Sequence, residues 1–151
     1  MTNFPGWDVV DPAYDPDVMS GEPDAAWTLA EEAVWKAGRS KRDNFADLVP
    51  YIERSLPPVP DGYVRLWRGN RTGEQDSGNP SYSNSLDGIA LPFRQSYGGS
   101  LTYVDVPQAD FGVDVRDVTG GFEFVLPDRL VRQVRVVPPP IVVRGKGRLV
   151  R

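Results

Sequence analysis

Residues 57–62, Pro-Pro-Val-Pro-Asp-Gly, cut this chain in two. The prolines remove backbone donors and forbid a helix from running through, and Asp-Gly favours a turn. Before the break, apolar residues recur at helical spacing. After it, they alternate as strand residues do. Helices first and strands afterwards predict an α+β fold rather than an alternating α/β one.

On the N-terminal side, Glu22-Pro23-Asp24 places a proline and acids where a first helical turn favours them. Trp27, Ala30, Val34 and Ala37 then share one stripe, and Gly38 is a stop signal. Phe45, Leu48, Val49, Ile52 and Leu56 form a second stripe, which Pro50 kinks or divides into two short pieces. Residues 1–20, rich in Pro and Asp, read as an irregular acidic arm whose Phe4, Trp7, Val9, Val10 and Tyr14 pack on the domain. The rest, 21–151, reads as one domain with a helical part over 21–57 and a β-rich core over 62–151.

Beyond the break, Tyr63–Trp67 and Leu101–Val106 alternate as strands. Gly121–Leu126 and Leu130–Val137 read as two antiparallel strands joined by a turn at Pro127-Asp128-Arg129. Ile141–Val143 and Leu149–Val150 are shorter candidates. Gly69–Pro80 is polar and Gly-rich, hence a loop. Leu86–Ser96 reads as a short helix capped by Asp87 and limited by Pro92. There is no internal repeat, no GxGxxG and no P-loop.

Composition narrows the chemistry. The chain has 151 residues, enough for a single core, and it contains no cysteine and no histidine. Disulfides, thiolate catalysis, a Ser-His-Asp triad and Cys- or His-ligated metals are therefore excluded, and no metal is expected. No apolar run reaches the roughly 18–20 residues of a membrane span, so no membrane partner is expected. The first residues lack the basic patch and apolar stretch of a signal peptide. A cytoplasmic protein is expected, or one delivered into a target cell by a route without a signal peptide.

The net charge of −4 is unevenly spread: residues 1–61 hold 12 acids and 5 bases, and residues 62–151 hold 9 acids and 12 bases. Of the 17 bases, 14 are Arg, whose planar fork suits phosphate and carboxylate, although genome composition also produces such an excess. The basic last stretch raises a nucleic-acid-binding reading, against which the acidic pI of about 4.8 counts.

Three stretches carry the candidate chemistry. Tyr63-Val64-Arg65-Leu66-Trp67-Arg68-Gly69 is a strand ending in Arg-Gly, with Arg68 on the face of Val64 and Leu66. Ser83-Asn84-Ser85 places two hydroxyls on one side of a strand just before a helix. In Gly121-Phe122-Glu123-Phe124-Val125-Leu126, Glu123 faces away from Phe122, Phe124 and Leu126, and a carboxylate on an apolar strand needs a partner. Each stretch also has a plain structural reading. Arg68 can be a strand-end Arg paired with a surface acid. Ser83 and Ser85 can be turn and cap hydroxyls. Glu123 can be a cross-strand partner of Arg132 or Arg135.

Taken together and in this order, the stretches resemble the ADP-ribosyltransferase superfamily in its Arg–Ser–Glu, cholera-toxin-like branch. Trp67-Arg68-Gly69 matches the aromatic-Arg-Gly element. Ser83-Asn84-Ser85 with Ala90 and Phe93 matches the Ser-motif and its helix. Glu123 in Phe-Glu-Phe-Val-Leu-Pro matches the catalytic strand, and Arg132–Val137 looks like the closing strand. The likeness covers residues 62–137. The branch that opens on His rather than Arg is closed to a chain without histidine.

The resemblance implies a split, mostly antiparallel β core and a small mono-ADP-ribosyltransferase, a toxin or phage effector, with NAD as substrate. Glu123 would stabilise the oxocarbenium-like transition state, Arg68 would hold the phosphates and Ser83 would orient Glu123 and the ribose. Gly69, Ser85, Phe93, Tyr97 and Tyr103 complete the implied NAD-binding set. The acceptor would be a host protein, a nucleic acid or a small molecule, and the enzyme a monomer or one paired with an inhibitor protein. An NAD glycohydrolase and an inactive binding module on the same fold are the alternatives. Three departures stand out. Gly121 occupies the position where many arginine-modifying members carry Glu or Gln, Asn84 replaces the middle Thr, and Arg68 and Glu123 lie only 55 positions apart.

Overall fold

A computed structural model describes residues 7–10, 23–38, 44–71 and 81–144. The chain is α+β, with helices and antiparallel sheet. It forms two compact units, one from Met1–Pro57 with Pro138–Arg151 and one from Pro58–Val137.

In the first unit, helix α1 (Pro23–Gly38) spans the interval between its proline start and its glycine stop. Trp27, Ala30 and Val34 are buried along the expected stripe. A 3-10 turn over Phe45–Leu48 leads into α2 (Val49–Ser55), with Pro50 inside the first turn, where its missing N–H is tolerated. Trp35 donates its indole N–H to the Asn44 carbonyl at 3.0 Å and meets the Phe45 ring edge-on. Strand β1 (Trp7–Val10) pairs antiparallel with the strand Ile141–Arg144, so this part of the expected irregular arm is extended and paired. The other arm residues, and the strand expected at Leu149–Val150, lie outside the described residues.

The second unit is built on β2 (Tyr63–Arg71), β3 (Ser81–Ser83), β4 (Gly98–Pro107), β5 (Arg116–Asp117), β6 (Glu123–Val125) and β7 (Arg135–Val137). The last strand of the chain, Ile141–Arg144, is β8. The six strands form one antiparallel sheet in the order β5-β6-β3-β2-β4-β7. Strands β6 and β7 are therefore not a hairpin. A short helix α4 (Asp128–Val131) replaces the expected tight turn, and the chain crosses to the opposite edge.

Between β3 and β4, a π turn over Leu86–Ala90 runs into α3 (Leu91–Tyr97), which ends at Gly98 in the left-handed conformation. The cap of this segment is Ser85, not Asp87: the Ser85 hydroxyl accepts the Gly88 N–H at 3.1 Å from an extended backbone.

One face of the sheet carries Leu66, Tyr82, Val104 and Val106, packed with Val115, Leu126 and Leu130. Burying each such aliphatic side chain contributes about 1.5–3 kcal/mol. At the other face, α3 lies so close to β2 that a Cβ on Gly69 would meet the Ala90 carbonyl and the Arg94 backbone N. The glycine after Arg68 is thus required by packing.

Candidate active site

Directly opposed residues of an antiparallel ladder share a face. Glu123 opposes Ser83, Ser83 opposes Trp67, Trp67 opposes Tyr103, and Tyr103 opposes Arg135. These five residues form a row across five strands, on the face opposite the Leu66–Tyr82 core.

The turn before β6 fixes Glu123. The Asp117 carboxylate accepts the backbone N–H groups of Thr119 and Gly120 at 3.0 and 2.9 Å. These and a further hydrogen bond from the Gly121 N–H hold its pKa below the ordinary value of 3.8, the Gly121 bond having the largest effect. Gly120 and Gly121 both have positive φ, 83° and 114°, which glycine adopts without strain. Thr119 Oγ1 accepts the Glu123 N–H at 2.8 Å. Glu123 itself is half-buried, and among the described residues no hydrogen bond or ion pair engages its carboxylate. The cross-strand pairing with Arg135 does not form, because β6 and β7 are four strands apart. Arg132 lies past α4, off the ladder.

The Ser83-Asn84-Ser85 stretch is tied down residue by residue. Ser83 is buried, and its hydroxyl accepts the Ser85 N–H at 3.0 Å. The Asn84 side chain donates to the Gly121 carbonyl at 2.8 Å, and its backbone N–H donates to the Phe122 carbonyl. The middle residue therefore fastens the Ser-motif to the turn that carries Glu123.

Arg68 donates Nε to Asn70 Oδ1 at 3.0 Å and Nη1 to the Ser81 carbonyl at 3.1 Å. Asn70 is buried and donates in turn to Thr102 Oγ1 at 3.1 Å and the Ser100 carbonyl at 3.2 Å. The guanidinium thus braces the start of β3.

A cleft of about 240 Å³ opens beside this row, lined by Trp67, Arg68, Gly69, Arg71, Ser81, Ser83, Ile89, Ala90, Phe93, Tyr97 and Glu123. It brings together Arg68, Gly69, Ser83, Phe93, Tyr97 and Glu123, all expected from the sequence. Ser85 and Tyr103 do not line it. Ser85 is committed to its cap. Tyr103 is buried, with the Trp67 ring 6.0 Å away and the Arg65 guanidinium over its face at 4.6 Å. Arg65 is also held bidentate by Asp105 at 2.7 and 2.9 Å. Tyr103 thus belongs to the same row but, covered by the Arg65 guanidinium, is not part of the cleft wall.

Asn70, Arg71 and Ser81 were not singled out from the sequence. Gly69–Pro80 reads as a loop there, whereas β2 continues to Arg71. The alternation begun at Trp67 was the available signal. Among the described residues, no group of acidic side chains could hold a metal ion, and no helix is long and apolar enough to cross a membrane. No protein-family model, curated protein or solved structure matches this chain.

Proposed function

We propose that this cleft cleaves the N-glycosidic bond of NAD and passes ADP-ribose to an acceptor, as a small mono-ADP-ribosyltransferase of the Arg–Ser–Glu type. The observation that carries the reading is the register of Ser83 against Glu123 on the wall of a cleft that also holds guanidinium and aromatic groups. Its volume lies below the roughly 300–1,000 Å³ of sites that enclose drug-sized ligands, and so suits the nicotinamide–ribose end of NAD.

The chemistry follows from the residue types. Nicotinamide leaves with the glycosidic electron pair, which neutralises its cationic ring nitrogen, so no histidine acid is required. Positive charge develops at ribose C1′, and the Glu123 carboxylate stabilises it more in the transition state than in bound NAD. Glu123 also accepts a hydrogen bond from the ribose 2′-OH, and Ser83 orients both. The acceptor's nucleophile bonds to C1′, and its proton passes to solvent.

NAD hydrolysis, with water as acceptor, is the second reading. Gly121 favours it, since the position two residues before Glu123 offers no side chain to orient an acceptor. The test is nicotinamide release from NAD, with and without a cell lysate, by the wild type and Glu123→Gln. Release by the wild type alone supports the reading, and mass spectrometry of labelled lysate separates transfer to protein, nucleic acid or small molecule from hydrolysis. No release by the wild type in either setting overturns it.

A further inference from the structure

The proline segment that interrupts the sequence at Pro57 also shapes the surface. Residues 57–63 are all exposed, and the large apolar side chains of Val59 and Tyr63 are each 42% open to solvent. Pro57–Pro60 belongs to no helix or strand: α2 ends at Ser55 and β2 begins at Tyr63.

The backbone of this stretch is set before any partner arrives. Pro57, Pro58 and Pro60 hold φ near about −65°. Leu56, Pro57 and Val59 each precede a proline, which keeps them extended. Leu56 stands at φ −110° and ψ 156°. Both ends are fastened. Upstream, the Leu56 N–H donates to the Glu53 carbonyl at 3.3 Å. Downstream, the Tyr63 N–H closes a turn on the Pro60 carbonyl at 3.1 Å, with Gly62 at φ 79°. The Gly62 carbonyl then accepts the Gln108 N–H at 2.9 Å.

A polyproline II helix has three residues per turn, which sorts the side chains into rows. Leu56 and Val59 form one row, Pro57 and Pro60 the next, and Pro58 falls on the third edge. Two apolar–proline pairs, Leu56-Pro57 and Val59-Pro60, therefore recur about 9 Å apart along one side. Other modes of peptide recognition do not fit. Residues 57–60 carry a single backbone N–H, on Val59, so they cannot add as a strand to a sheet edge, and the prolines bar a helix.

We propose that Leu56–Pro60 is a docking ligand for a partner domain of SH3 type, whose aromatic-lined groove takes a Pro-x-x-Pro segment in the polyproline II form. The fold already holds the segment extended, so little ordering cost remains at binding. The proposal is independent of the chemistry in the cleft.

Titration of the full chain with a panel of isolated SH3 domains, and with a WW domain as control, tests it. NMR follows the amide resonances and calorimetry the affinity. Expected is binding by at least one SH3 domain that shifts the Val59 amide resonance and leaves those of Ser83 and Glu123 in place. Pro57→Ala and Pro60→Ala should each weaken it about tenfold or more, whereas Pro58→Ala, on the third edge, should change it by less than about twofold. Melting temperatures confirm that the variants fold, and the Val59 shift is read on the wild type alone. No binding by any SH3 domain, binding by the WW domain only, an equal loss in Pro58→Ala, or a bound domain that leaves Val59 unmoved overturns the proposal.

Discussion

Ser83 stands directly opposite Glu123 in the ladder between β3 and β6, one strand spacing away on the same face. That spacing lets a hydroxyl and a carboxylate act on the same sugar. Ser83→Ala should lower kcat for nicotinamide release by roughly ten- to a hundredfold, the effect of one hydrogen bond in the transition state. Ser85→Ala removes a helix cap instead and should cost about 0.5–2 kcal/mol of stability with a far smaller effect on kcat. Steady-state kinetics beside denaturant titration distinguishes the two.

Asn70 links Arg68 to Thr102 and Ser100. Asn70→Ala leaves buried partners unsatisfied and should destabilise the protein by roughly 1–3 kcal/mol. It also frees the brace at Ser81, so kcat should fall more than KM rises. Urea unfolding and kinetics on the same preparation check both.

Gly69→Ala forces a methyl group against the Ala90 carbonyl and the Arg94 backbone. Backbone on both sides cannot yield easily, and the cost should be roughly 1–3 kcal/mol, read as a lowered midpoint in urea. A variant as stable as the wild type would show that α3 can move off β2.

Asp117 gives the loop before Glu123 an acid sensitivity. Its pKa is depressed in the folded protein, first by the Gly121 N–H and then by Thr119. The ordering it supplies is complete above its ordinary value of 3.8 and is lost as pH falls through the lower folded value. The Thr119 and Gly120 amides should therefore stay protected from exchange to below that pH and then open. In Asp117→Ala they should exchange at close to the rate of an unprotected amide at each pH, as NMR would show.

Much of the helical part was legible because its signals are local. Pro23, Asp24 and Gly38 mark the limits of α1 from within their own turns, and Pro50 divides the next segment. The partnering of strands was not legible. Alternation in Gly121–Leu126 and Leu130–Val137 says which residues share a face, but not which strand lies beside which. The crossover through α4 leaves them four positions apart in the sheet, with only β7 at an edge. The contact of the Arg65 guanidinium with the Tyr103 ring was equally hidden, since it depends on β2 lying beside β4. Ser85 prevailed over Asp87 as the cap because its extended backbone brings the hydroxyl onto the Gly88 N–H. Arg68, Ser83 and Glu123 were readable as strand residues from local alternation, and all three line the cleft. Arg71 was hidden by a glycine-rich surrounding that reads as loop.

The ribbon of β1 and β8 joins segments about 130 residues apart in sequence. A ribosome adding roughly 5–20 residues per second delivers Ile141 some 7–26 s after Val10. Over that interval Trp7–Val10 has no ladder partner, while Pro58–Val137 emerges whole. The cleft-bearing sheet can therefore assemble on the nascent chain before the ribbon of β1 and β8 has both its strands.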